Sequence, residues 1–182
     1  MTFITSVVGA EDLDSGVMKV CEFPEKLDPA IFRDVLLRLA PGLPEAAIAH
    51  LYDANQTQSY QSGEFLLLEG EFCRGVFLLL KGTVQLCLRQ NARTYLEICE
   101  ISDPAILGLS GTLLDERLVA GARALMPAMT AFIPRLAFLE ALRKFPHASL
   151  AFSSLVIAEL NSAYGRLYLL ARLPRARAIT AR

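Results

Sequence analysis

Between Gln56 and Pro134 glycine recurs at positions 63, 70, 75, 82, 108, 111 and 121, and the apolar runs it separates are short. No other feature constrains the fold as tightly. A helix pays about 1 kcal/mol for each interior glycine relative to alanine. Strands joined by tight turns need glycine for its positive φ, as Gly70 and Gly82 suggest here. The runs are Phe-Leu-Leu-Leu within Glu64–Glu69, Val-Phe-Leu-Leu-Leu over Val76–Leu80, and Thr83–Leu88. In the last, Val84, Leu86 and Leu88 alternate with Gln85 and Cys87, as in a half-buried strand. Asn91-Ala92-Arg93 reads as a hairpin turn, and Tyr95–Ile101 alternates again. Two further strands fit Arg117–Leu125 and Met129–Pro134. Short strands at this spacing predict a β-sandwich or barrel.

On either side the period is helical. Asp28-Pro29 opens a helix, Asp as cap and Pro at the first position. Ile31, Val35, Leu36 and Leu39 form its apolar stripe, and Pro41-Gly42 stops it. Pro44 starts a second short helix with Ala47, Ile48 and Leu51 on one side. After the strands, Arg135–Phe145 places Leu136, Leu139 and Leu142 inward. Pro146 then opens a long helix that Pro174 ends. His147 to Arg172 is 26 residues, about 39 Å. Its apolar positions, Leu150, Leu155, Ile157, Leu160, Tyr164, Leu167, Tyr168 and Ala171, make a face broad enough for two partners, the β-structure and a second copy.

Composition bounds the function. Apolar residues make up 53% and charged residues 20% of the 182, so a disordered chain is excluded. The longest uncharged stretch, Phe145–Ala158, is 14 residues, short of the 18 or so that a membrane span needs. The first basic residue is Lys19, which argues against a secretory leader, and a cytoplasmic protein without membrane partners is expected. Net charge is −1, but Leu160–Arg182 holds five Arg and no acid, leaving −6 elsewhere. Only that tail offers a footprint for nucleic acid, and helix-terminal cations account for it equally. Cys21, Cys73, Cys87 and Cys99 show no C-x-x-C spacing and read as buried thiols.

The stretch Gly63-Glu64-x4-Glu69-Gly70-x5-Val76-Phe77-Leu78-Leu79-Leu80-Lys81-Gly82-x-Val84-x-Leu86 resembles the opening of the cyclic-nucleotide-binding domain of the Crp/Fnr superfamily of bacterial regulators. The order of elements is similar too, over about residues 29–178. The resemblance implies a mainly β fold, a jelly-roll (double-stranded β-helix) with flanking helices. It implies an N-terminal extension (1–28) and an effector domain (29–145) built of a helical pair (29–53), a β-roll (56–134) and a short helix (135–145). A long dimerisation helix with a basic tail (146–182) follows. It also implies signal transduction, transcription regulation and a homodimer.

Relatives that bind cyclic nucleotide carry Gly-Glu, about ten residues, then Arg-Ser/Thr-Ala. The intervening helix meets the phosphate, Arg neutralises it and Glu accepts from the ribose. Here Gly108 is kept, but Leu109 stands at the Glu position and Leu118-Val119-Ala120 at Arg-Ser/Thr-Ala, with one residue deleted. Arg117 lies one step off, and neighbouring strand residues face opposite ways. Gly108, Leu109, Ser110, Arg117, Leu118, Val119 and Arg123 are therefore the candidate pocket residues. Weak or no binding of cyclic AMP or cyclic GMP is expected, unless Arg117 or Arg123 takes over. Such a pocket either holds a less polar effector or is filled by its own side chains. Ile157, Leu160, Asn161, Tyr164, Leu167, Tyr168 and Ala171 are the candidates for the dimer, with Asn161 and Tyr164 also placed to face a ligand.

Other chemistries fit poorly. Iron–sulfur clusters need about four thiolates, and the extension has Cys21 alone. Haem needs an axial ligand, and His50 and His147 read as surface residues. No His lies between them, which argues against a metal-dependent cupin-type enzyme and a catalytic triad. The expectation is a non-enzyme with no cofactor and no metal. About eight residues after Pro174 cannot build a DNA-reading head, so this chain alone is not expected to bind DNA. Whether it is a stand-alone module, a fragment of a regulator or a ligand-free scaffold stays open.

Overall fold

A computed structural model describes residues 27–91 and 94–172, with side chains except at 166 and 169–172. The expected extension up to residue 26, the basic tail, Cys21 and the tip of the hairpin lie outside the described residues. Eight strands form two four-stranded antiparallel sheets. One sheet holds β1 (Gln56–Tyr60), β8 (Ala128–Pro134), β3 (Gly75–Lys81) and β6 (Ala105–Leu107), in that order. The other holds β2 (Phe65–Leu67), β7 (Gly121–Ala124), β4 (Thr83–Arg89) and β5 (Tyr95–Ser102). Helices α1 (Pro29–Leu39), α2 (Glu45–Ala54), α4 (Arg135–Lys144) and α5 (Pro146–Arg172) flank the roll, and α3 (Leu109–Leu114) bridges β6 and β7. Mainly β with a long final helix is the architecture expected.

Two apolar cores share β3. Phe77 and Leu79 point into the roll with Leu67, Val84, Leu107, Ala122 and Ala128. Val76 and Leu78 point out, against Phe32, Leu36, Leu51, Phe138 and Phe152 of the helices. The unbroken run Val-Phe-Leu-Leu-Leu is apolar because both faces of its strand are covered. At the end of β3, Gly82 takes φ +110°, and a Cβ there would lie 2.8 Å from that of Ala128. Glycine is thus required both by φ and by space.

The helical pair forms as its punctuation predicts. Asp28 accepts from the Ala30 amide at 2.8 Å and Pro29 takes the first position of α1. Asp28→Ala should cost about 1 kcal/mol of stability, read by denaturant unfolding; an unchanged midpoint would show the cap to be idle. Ala47, Ile48 and Leu51 are buried on α2.

Several expectations are corrected. Ile31 is 48% exposed, and Phe32 takes the inward place on α1. On α4, Leu136 is 78% exposed while Phe138 and Ala141 are buried, because α4 turns a different stripe to the sheet. Strand β4 is covered on both faces, since Gln85 and Cys87 are buried along with Val84. Gln85 accepts from Arg123 at 3.1 Å. The Phe65 ring, tilted 43° against Tyr95 at 5.3 Å, lies with Cys87 beside Gly121, and burial pushes the Cys87 thiol up. Ordered pairing within Arg117–Leu125 is confined to β7; before it Arg117 makes one isolated bridge, to Phe72. His50 is half-buried against Phe145 at 6.0 Å between ring centres, so it is not a surface residue. The β4–β5 hairpin closes beside Asn91, whose side chain accepts from the Thr94 amide at 2.9 Å. Among the described residues no helix is long and apolar enough to cross a membrane.

Candidate functional site

A cavity of about 420 Å³ lies between the roll and α5. That is within the range of small-molecule sites, about 300–1,000 Å³. Leu67, Leu86, Ile98 and Ile101 of one sheet form its floor, with Cys99 beside them. Gly108, Leu109 and Ser110 supply one wall, and Leu118, Val119 and Ala120 another. Glu159, Ser162 and Ala163 of α5 complete it.

The wall around Gly108 is held by a tight corner. Gly108 caps α3 with φ +76°, and the Thr112 amide donates back to its carbonyl at 2.9 Å. The Cys73 thiol reaches the carbonyls of Gly75 at 3.1 Å and Gly108 at 3.3 Å, and Thr112 Oγ1 approaches the same sulfur at 3.4 Å. From the other end, Arg135 at the head of α4 donates to the Thr112 carbonyl at 2.9 Å and pairs with Asp115 at 3.4 Å. Thus α3 is clamped by β3, the Cys73 loop and α4.

Of the seven residues proposed for the pocket, Gly108, Leu109, Ser110, Leu118 and Val119 line the cavity together; Arg117 and Arg123 do not. Leu118 is 9% exposed and turned inward, whereas its neighbour Arg117 is exposed and points away. Arg117 Nη1 donates to the Gly70 carbonyl at 2.7 Å, and the guanidinium covers the Phe72 ring at 4.6 Å. Arg123 lies on the outer face of β7, with Gln85. On α5, Asn161 and Tyr164 do not line the cavity. At 3.6 residues per turn Asn161 lies about 100° round the helix from Ser162 and Tyr164 about 140° from Glu159. Glu159, Ser162 and Ala163 were missed, although their i, i+3, i+4 spacing continues the helix face on which Ala148 and Phe152 are buried; they themselves stay exposed at the cavity's mouth.

The chemistry of the lining follows. No Arg, Lys or His is in it, and Glu159 is its one carboxylate. Partial burial raises the Glu159 carboxyl above its usual range. Among the described residues no group of three or more His, Cys, Asp or Glu is placed to hold a metal ion. A smaller cavity of about 260 Å³ shares Leu67 and Leu118 with this one and opens beside Phe72 and Arg74.

Residues 57–145 match the family model described as cyclic nucleotide-binding domain. Among solved structures, the chain is similar to the Thermus thermophilus catabolite activator protein at 20% identity and TM-score 0.63, over 73% of this chain and 62% of that one. It is similar to the sensor domain of the transcriptional regulator DNR from Pseudomonas aeruginosa at 16% identity and TM-score 0.60, over 83% of this chain and 98% of that domain. It is also similar to the regulatory subunit of a cAMP-independent protein kinase A from Trypanosoma cruzi bound to guanosine, at 22% identity and TM-score 0.58, over 67% and 43%. The chain therefore spans about three fifths of the length of the first of these. No curated protein matches it in sequence.

Proposed function

We propose, for a chain that carries a cyclic nucleotide-binding domain of the Crp/Fnr type over residues 57–145, that it is a regulatory sensing module whose effector is a small apolar molecule and not a cyclic nucleotide. One observation carries this reading. The cavity where relatives would hold a nucleotide is open, about 420 Å³, and is walled by Leu, Ile and Val with a carboxylate and no cation. A cyclic phosphate entering it meets Leu118 in place of a guanidinium and Glu159 as a like charge. Each missing charged hydrogen bond costs about 1.5–3 kcal/mol. Two of them lower affinity by roughly two to four decades. The open volume also speaks against a cradle filled by its own side chains, and so against a ligand-free scaffold. A regulator, not an enzyme, suits a mainly aliphatic lining with one carboxylate and no His or Lys.

Isothermal titration tests this. Cyclic AMP and cyclic GMP should give no saturable heat below about 1 mM, while an apolar ligand at a hundred times its Kd stabilises the protein by about 2.7 kcal/mol. A micromolar Kd for either nucleotide overturns the reading.

The module is proposed to act as a homodimer through α5. Ile157, Leu160, Tyr164 and Leu167 are each about half exposed or more, at 49–60%. Their 3-4-3 spacing is that of a coiled-coil seam, continued by Ala171. At 3.6 residues per turn the seam's centre lies about 120° round α5 from Glu159 and about 180° from Ser162, so one helix serves the cavity and the seam with separate faces. Asn161 and Tyr168 flank the seam. An occupant of the cavity can thus shift how two copies of α5 pack, a population shift between two arrangements.

A further inference from the structure

The cavity is apolar but not featureless. Its single ionised group is Glu159, at the middle of α5, one helical turn before Ser162 and Ala163 on the same side. Three carboxylates of the roll have donors: Asp103 accepts from the Gly82 amide at 2.7 Å, Glu64 from the Gln61 amide at 2.7 Å, and Asp115 pairs with Arg135; Glu159 differs from them in lining an apolar cavity. Among the described residues none donates to Glu159. The two arginines near the cavity are engaged elsewhere, Arg117 with Gly70 and Phe72, Arg123 with Gln85. Glu159 sits at the solvent-exposed mouth of the cavity, its carboxylate facing apolar walls on one side.

We infer that the occupant of this cavity is a cationic amphiphile, an apolar body of about a dozen heavy atoms carrying one protonated amine that Glu159 binds. The inference rests on reading the cavity as the effector site, and adds to that reading the sign and place of the ligand's charge. The size follows from volume. At about 30 Å³ per water-sized group, 420 Å³ accommodates about that many atoms. The charge follows from what Glu159 lacks. As the one charged group in an otherwise uncharged lining, Glu159 gains most from an N⁺–H donor, because charge-assisted bonds are the shortest and strongest available. An anion is excluded twice, by the carboxylate and by apolar walls that cannot solvate it. A neutral body without a donor fills the space but leaves the carboxylate as it was. The grip also falls on the right element, since Glu159 shares α5 with Ile157 and Leu160 of the exposed seam.

Three matched probes test this: 4-butylbenzylamine, 4-butylbenzyl alcohol and 4-butylbenzoate, titrated calorimetrically at pH 7.4 into the full chain and into Glu159→Gln. The amine should bind at least about tenfold more tightly than the alcohol, and the benzoate most weakly. In Glu159→Gln the amine should fall to the affinity of the alcohol, while the alcohol changes less than about twofold. Retained alcohol binding shows that the variant is folded. Equal binding of amine and alcohol to the natural chain, an undiminished amine preference in the variant, or tightest binding by the benzoate overturns the inference and leaves the effector reading standing. Failure of all three to bind overturns the effector reading and the inference with it.

Discussion

Gly108→Ala should lower the thermal unfolding midpoint by roughly 5–15 °C in scanning calorimetry. Two independent costs converge on this position. The backbone sits at φ +76°, which costs an L-residue about 1–2 kcal/mol. The new methyl would lie 2.8 Å from the Cys73 sulfur and 3.0 Å from the Gly75 carbonyl oxygen, an overpacking worth about 1–3 kcal/mol. Neither neighbour can yield cheaply. Gly75 is fixed in β3, where a Cβ of its own would meet the Ile133 carbonyl at 2.2 Å, and Cys73 is held by its carbonyl contacts. A double-mutant cycle with Cys73→Ala separates the two costs. Removing the sulfur should return part of the steric loss and none of the conformational one, so the pair should be less destabilising than the sum of the singles. A Gly108→Ala midpoint within about 2 °C of the natural protein would mean that the corner has slack. The same substitution bears on the cavity, because Gly108, Leu109 and Ser110 are its wall and cannot move without reshaping it.

That corner also shows what was readable in the residues and what was not. Periodicity and punctuation carry the architecture: the Gly-spaced strands, the Asp28-Pro29 start and the long run after Pro146 all depend on local backbone chemistry. The retained Gly108 and the Leu at the neighbouring acidic position were legible because one residue type at one place decides them. The directions of Arg117 and Arg123 were less so. Both are cations near the right place in sequence, yet a single step along a strand reverses a side chain, and the inward turn of Leu118 settles which one is lost. Burial on β4 was hidden for another reason. Gln85 is met by Arg123, 38 residues on, and Cys87 lies near Phe65, 22 residues before it, partners which no local period announces. The place of Glu159 at the cavity is hard to read from sequence, because a lone acid on a helix usually marks the solvent side. The signal lay in its register with Phe152, seven residues before, and in the two small residues one turn after.

Charging the α5 seam should turn a dimer into a monomer with its fold intact. In the single chain Leu160 is 49% and Leu167 60% exposed, so glutamate at either place disturbs little that the protomer itself has built. Between two copies the balance is different. Each leucine side chain contributes about 1–1.5 kcal/mol for the half of its surface that a partner would cover. A carboxylate set in its place leaves water without a cation to meet it, and two-fold symmetry doubles both effects. Leu160→Glu combined with Leu167→Glu should therefore raise the dimer dissociation constant by at least about three decades. Light scattering on the eluting peak at about 50 μM should read twice the 20.0 kDa chain mass for the natural protein and one chain mass for the variant, with unchanged far-ultraviolet circular dichroism. A natural chain that elutes as a monomer, or a variant that stays dimeric, removes the seam from the account. The pair also separates sensing from output. Glu159 lies about a third of a turn away from the seam, so the monomeric variant should bind the cavity's ligand with an affinity close to that of the protomer while losing the partner through which binding is transmitted.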